Sequence, residues 1–404
     1  MPTSPPSPAK GDRDAVITGI GLASCLGAGV DEHWAALTDP AGFKPVVDSD
    51  SFAPAMVHPI AALELDKQIP KRGDQRQMEP WQRIGVYAAG LALDSAGVKG
   101  NADLLGRMGM IVAAGGGERD YAVDEAILTG LPKAPDQGAY LNEHLLGDVR
   151  PTLFLAQLSN LLAGNISIVH GVTGWSRTFM GEESCGADAV RIACARIAAR
   201  QTDVVLVGGS YNAHRPDVML HYEMGQVSAK PPFAGVWGRQ QSGGGIVLGT
   251  MGCFLVVESR SHAAARGAAP FARIAAVKTD RSRREPGQAT ANARAQLGTM
   301  EAALDRAACA VISGASGVAA PTQEEAAWLA TLGLPVRASS TAFGHSLEPV
   351  FPASLALAAM AVRDGRLFNP LEPAEAAMDG TLRQALVTSW GQWRGEALAL
   401  VTAA

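Results

Sequence analysis

The stretch between residues 178 and 209 restricts this chain most. Residues 178–180 have β character, and the polar turn Gly181-Glu182-Glu183-Ser184-Cys185-Gly186 interrupts them. The alanine-rich run 187–200 is helix-forming, and the apolar run 203–207 reads as a buried strand closing in Gly208-Gly209. Strand, sharp turn, buried helix and strand together make an α/β unit.

The same elements recur along the chain. An apolar run at 15–18 enters Gly19-Ile20-Gly21, a helix is predicted over 30–37 around Trp34, and 38–80 is loop-like and rich in proline. A helix is predicted over 81–96 and a strand over 108–114. That strand closes in Gly115-Gly116-Gly117, with no GK[ST] after it to make a phosphate cradle. Residues 155–162 read as helix and 165–169 as a short strand. Later strands are predicted at 246–248, 253–258, 271–279, 311–313, 387–389 and 397–401, with helices at 289–308, 324–332 and 351–361. The order is similar in the two halves and points to a duplication. We place the halves at 13–259 and 260–404, after a Pro- and Ser-rich tail over 1–12 that is expected to be disordered.

At 404 residues the chain exceeds the usual single-core unit, and 47% hydrophobic against 18% charged residues leaves ample material for a large core. A formal net charge of -5 gives no ground for a nucleic-acid partner. Cysteines 25, 185, 194, 253 and 309 are odd in number and form no CxxC pair. Neither a zinc site nor a disulfide framework is therefore expected, and a reducing, cytoplasmic setting fits. The apolar runs 253–257 and 353–360 are too short to span a bilayer, and residues 1–10 lack the apolar core of a signal peptide.

Four segments in order carry a resemblance over nearly the whole chain from residue 15. They are AVITGIGLASCLGAGVDEHWAAL, LSNLLAGNISIVHGVTGWSRTF, TDVVLVGG and GTMGCFLVVESRSHAAARG. The chain resembles the β-ketoacyl synthases of fatty-acid and polyketide assembly. The resemblance implies a duplicated, five-layered α-β-α-β-α thiolase-like fold that dimerises. Family members load an acyl chain on a cysteine at a helix start, decarboxylate a carrier-bound malonyl unit and join the two by Claisen condensation.

Ungapped matching from Gly171, Gly174, Ser176 and Thr178 forward puts Glu183 at the nucleophile position, with Cys185 two residues beyond as a substitute candidate. The 314–321 stretch puts Ser316 at the first family histidine, and Ser340 falls at the family lysine. His345 is the retained second histidine, and Ser389-Trp390-Gly391-Gln392-Trp393-Arg394-Gly395 replaces the family's phenylalanine-glycine loop.

A helix start stabilises a carboxylate as it does a thiolate, but a carboxylate is a poor acyl acceptor and a serine hydroxyl cannot replace an imidazole. Ordinary condensation by the isolated chain is not expected. The resemblance implies a chain-length-factor-like, non-condensing subunit that pairs as a heterodimer with an active ketosynthase and shapes acyl-chain elongation. That family precedent has glutamine where this chain has Glu183. The alternative is an active transferase, decarboxylase or hydrolase acting on acyl or malonyl thioesters through Glu183, Ser316 and His345.

Trp237, Phe351, Trp390, Gln392 and Trp393 are candidates to line or gate an acyl tunnel, with core packing the plainer role for the aromatics. Phe179 and Met180 are candidates for the partner seam. Arg281, Arg283 and Arg284 are candidates to dock an acidic acyl carrier protein, which would carry the phosphopantetheine. No cofactor or metal of the chain's own is expected, and Glu348 and Phe351 bring charge and bulk where the family keeps small residues.

Overall fold

The computed structural model describes residues 11–404, so the expected tail lies, except for its last two residues, outside the described residues. An eleven-stranded sheet carries the molecule. The strands of its first half are β1 (Ala15–Ser24), β2 (Gly109–Ala113), β3 (Trp175–Phe179), β4 (Val204–Tyr211) and β5 (Met251–Ser259). Those of the second are β6 (Ala272–Asp280), β7 (Cys309–Ser313), β8 (Val336–Ala338), β9 (Gln384–Trp390) and β10 (Glu396–Thr402), and the two-residue Gly27–Ala28 pairs on β1.

Strand order is β3-β2-β4-β5-β1 in the first half and β8-β7-β9-β10-β6 in the second. Each half begins with two parallel pairings and ends with two antiparallel ones. One order and one polarity, used twice, make the duplication a property of the fold. The halves meet where β1 and β6 pair antiparallel.

The helices that matter are α1 (Pro80–Ser95), α2 (Leu161–His170), α3 (Glu182–Ala198), α4 (Pro216–Met224), α5 (Gln288–Gly298), α6 (Ala319–Ala330) and α7 (Val350–Asp364). Helices α3 and α7 pack on each other and on strands of both halves. The sheet therefore folds back around them, with α1 and α2 packed on the first half and α5 and α6 on the second, giving α-β-α-β-α layering. Every residue of α7 from Val350 to Val362 is buried, as an internal helix with no polar stripe requires.

Three local expectations need correction. The first strand continues through Ser24 because α1 lies directly on it: a Cβ on Gly21 would collide with the Ala88 carbonyl. Its glycines admit the helix instead of ending the strand. Residues 165–169, expected as strand, belong to α2, in which Leu162, Ala163, Ile166 and His170 are buried at helical spacing on one side. The run 246–248 shortens to a two-residue strand at Leu248–Gly249.

Candidate active site

The turn ahead of α3 sets the centre. Gly181 has φ 120° and Glu182 φ 59°, the second a left-handed conformation that is costly for a non-glycine residue. Helix α3 starts within the polar turn, five residues earlier than composition indicates, and this places Glu183 in its first turn, 1% exposed.

His345 reaches the same point from the segment ahead of α7. Its backbone N–H donates to Val247 O at 2.8 Å and its carbonyl accepts from Gly249 N at 3.0 Å, so the segment is clamped to the Leu248–Gly249 strand. Nε2 of His345 then lies 2.8 Å from Glu183 Oε1, and Nδ1 lies 3.3 Å from Ser340 Oγ. The third partner is backbone: Gln392 N donates to the same Glu183 Oε1 at 3.1 Å. Burial opposes the Glu183 charge, but the hydrogen bond and charge of His345, with the amides of Glu183 and Gln392, outweigh it and hold the carboxyl below its ordinary value. Glu183 Oε2 has no hydrogen-bond partner among the described residues.

The loop that presents the Gln392 amide is held from outside the centre. Gly391 N donates to Gly395 O at 2.8 Å, and Arg284 Nη2 donates to Gly391 O while pairing with Glu396 at 3.4 Å. This corrects the picture of three exposed docking arginines. Arg281 and Arg283 are exposed, Arg281 bonding Asp188 at 3.3 Å, but the Arg284 side chain is only 17% exposed because its partners lie inward.

Ser316 is buried, and its hydroxyl accepts from Val318 N at 3.2 Å while its carbonyl accepts from Arg239 Nη2 at 3.1 Å. It makes no hydrogen bond to Glu183 or His345 among the described residues. Cys185 Sγ donates to Glu182 O at 3.0 Å, and burial, with Glu348, Glu183 and Asp188 near, pushes the thiol far above its ordinary value. It lacks the thiolate character that a nucleophile requires.

The five tunnel candidates do not share one cavity. Phe351 is fully buried in α7, and Trp390 packs on Trp328 with ring centroids 5.8 Å apart. Trp237 donates through Nε1 to Glu375 at 3.3 Å and lines a separate groove with Leu329 and Val336. Gln392 and Trp393 do share a groove, with His221, Tyr222 and Met224.

Glu348 fills space left by two glycines. Its carboxyl sits where Gly115 lacks a side chain and its carbonyl where Gly186 does. Burial, with Glu183 and Glu182 adding to it, pushes Glu348 up to about 7. Glu325, also buried and raised to about 7, accepts from Ser313 Oγ at 2.8 Å and from Thr388. Nothing around it in the sequence marks it, and the Gln392 contact is equally silent because it belongs to the backbone. Among the described residues no group of three or more His, Cys, Asp or Glu is placed to hold a metal, and no helix is long and apolar enough to cross a membrane.

A duplicated five-layered body with its centre at the head of a buried helix is a thiolase-like fold. The ishigamide ketosynthase/chain length factor matches it with a TM-score of 0.77 at 19% identity, over 97% of this chain and 99% of that one. A beta-ketoacyl synthase from Burkholderia phymatum STM815 matches at TM-score 0.72 and 22% identity, with the same coverage. The profile described as Beta-ketoacyl synthase, N-terminal domain, matches residues 12–263, and the chain belongs to the β-ketoacyl synthase family.

Among curated relatives, 3-oxoacyl-[acyl-carrier-protein] synthase 2 of Vibrio cholerae is 26% identical over 272 residues, 65% of this chain and 62% of that protein. The tetracenomycin polyketide synthase ketoacyl synthase beta subunit of Streptomyces glaucescens is 26% identical over 366 residues, 86% of this chain and 85% of that one. The chain thus spans about three fifths of the first relative's length and most of the second's.

Proposed function

We propose that this protein is a non-condensing subunit that pairs with an active β-ketoacyl synthase and shapes or controls acyl-chain elongation in fatty-acid or polyketide biosynthesis. One observation carries the reading: the Glu183 carboxylate is bonded to His345 and to the Gln392 amide. A chain built this way fills its own acyl-binding centre with a side chain. Cys185, buried and protonated, supplies no replacement nucleophile. Similarity that runs through 86% of the chain to a ketoacyl synthase beta subunit agrees with this role.

The partner seam is assigned to the open edge of β3. Among the described residues that strand pairs only with β2, its side chains are half-buried or exposed, and Met180 beside it is 65% exposed. The acyl carrier protein would bring the phosphopantetheine arm to the pair.

The test is co-expression with a catalytically complete ketosynthase, followed by intact-mass analysis after exposure to acyl- and malonyl-loaded carrier. The expected result is a stable heterodimer whose partner alone gains acyl mass. Acyl mass on this chain, or a protein that stays a homodimer beside the ketosynthase, overturns the reading.

The 2.8 Å contact of His345 with Glu183 also keeps a catalytic reading in view, with Glu183 as base and His345 as donor to a thioester carbonyl. Turnover of an acyl or malonyl thioester by the purified chain, abolished in Glu183→Gln and His345→Ala, would favour it.

A further inference from the structure

The open edge of β3 is flanked by cations. Trp175, Arg177 and Phe179 alternate onto one face of the strand, the face towards α3, where both rings pack on the core. The Arg177 guanidinium lies over the Phe179 ring, 4.8 Å from its centroid. That of Arg196 reaches across from α3 and lies over the Trp175 ring, 4.0 Å from its centroid. Arg177 is exposed and Arg196 half-buried. Arg191, on the same helix as Arg196, pairs with Asp188 at 3.1 Å, but among the described residues neither Arg177 nor Arg196 has a carboxylate or any other hydrogen-bond acceptor.

A guanidinium over an aromatic face is held in place without using its N–H donors. Both arginines are thus fixed, charged and open to an acceptor, beside a strand whose backbone edge is open as well. We infer that this edge takes a strand of the ketosynthase that carries an aspartate or glutamate opposite Arg177, and that it refuses a second copy of this chain. The inference rests on the proposed pairing and names what the partner presents. When an antiparallel strand adds to β3, the residue directly opposite Arg177 comes onto the same face, with Cβ atoms about 5 Å apart. A carboxylate there accepts from the guanidinium fork, and Arg196 adds positive charge along the same face. A second copy pairs through a two-fold axis, and the register that uses all of Trp175–Phe179 puts that axis at the middle residue. That residue is Arg177, so like charges would face one another. Sliding the register to part them shortens the ladder.

The test measures the affinity of the full chain for the co-expressed ketosynthase. Arg177→Glu should weaken the pair by at least about tenfold, because a repulsive contact replaces a charge-assisted one. Arg177→Gln removes the charge and is milder towards the fold. It should weaken the pair by about threefold or more and flatten the loss of affinity between about 0.1 and 0.5 M salt. In sedimentation, an equal mixture of native chain and Arg177→Glu should form a mixed dimer at least about tenfold tighter than either forms alone, since the central contact is then arginine to glutamate. Affinity for the ketosynthase within about twofold of native in both variants, or a native chain that associates with itself as tightly as the mixture does, overturns the inference and leaves the pairing standing. No complex between the native chain and the ketosynthase overturns both, so the native measurement tells the two failures apart.

Discussion

At the scale of single residues, two buried carboxylates respond to pH in opposite directions. Glu183 is held below its ordinary value, so its contribution to stability is complete above that value and lost as pH falls towards the folded one. Glu348 is raised from 4.5 to about 7, so it favours the folded state most below its unfolded value and loses that contribution as pH rises towards 7. Replacing it by the neutral isostere removes the penalty of charging a buried acid. Glu348→Gln should be more stable than the native chain by up to about 3 kcal/mol at about pH 8, and nearly equal to it at about pH 5, in denaturant titrations at both.

Glu183 should behave oppositely at neutral pH. Glu183→Ala leaves His345 Nε2 and the Gln392 amide facing each other without an acceptor, a loss of about 2–4 kcal/mol in the same titration. Glu183→Gln retains an acceptor oxygen and should lose less. A Glu183→Ala variant as stable as the native chain would mean that the carboxylate does not hold the centre together.

Among the elements, the 391–395 loop decides the site's geometry and is secured by Arg284 from the 281–287 connection. Arg284→Ala should release the loop, lower stability by about 1–3 kcal/mol and speed hydrogen exchange at the Gln392 amide, because a buried Glu396 loses its cation. Arg284→Lys keeps the charge without the fork of donors and should restore only part of the protection. If exchange at Gln392 is unchanged in Arg284→Ala, the arginine does not position the loop. Helix α3 has a comparable dependence: its register follows from the Gly181 and Glu182 dihedrals, and without them Glu183 would not point into the molecule.

For the whole molecule, the two halves close around α3 and α7 and leave β3 as an outer edge. An exposed edge strand flanked by a large apolar side chain is a place for another chain to add. Met180→Asp should reduce co-purification with a ketosynthase by about tenfold or more while leaving the melting temperature within a few degrees, since Met180 is 65% exposed and packs little. Undiminished co-purification would move the seam elsewhere, and a collapse in melting temperature would mean that Met180 supports the fold itself.

Much of this protein is legible in its residues. The buried strand at 203–207, the polar turn at 181–186 and the alanine-rich run after it declare an α/β unit, because apolar runs of those lengths have few other ways to leave water. Matching to the family also singled out Glu183 and His345, which stand 162 positions apart in sequence and whose side chains are 2.8 Å apart in the structure.

The remainder depended on what lies across each element. No pattern within 165–169 separates a short strand from one turn of helix, and only packing against α1 makes it part of α2. Arg284 and Arg281 sit in one basic run, and the carbonyl of Gly391 with the carboxylate of Glu396 turns the first inward. The Gln392 amide and the space claimed by Glu348 are relations between segments distant in sequence. Hydrophobic pattern and local propensity set which elements form, whereas hydrogen bonds and burial, which need both partners in place, decided what the centre is made of.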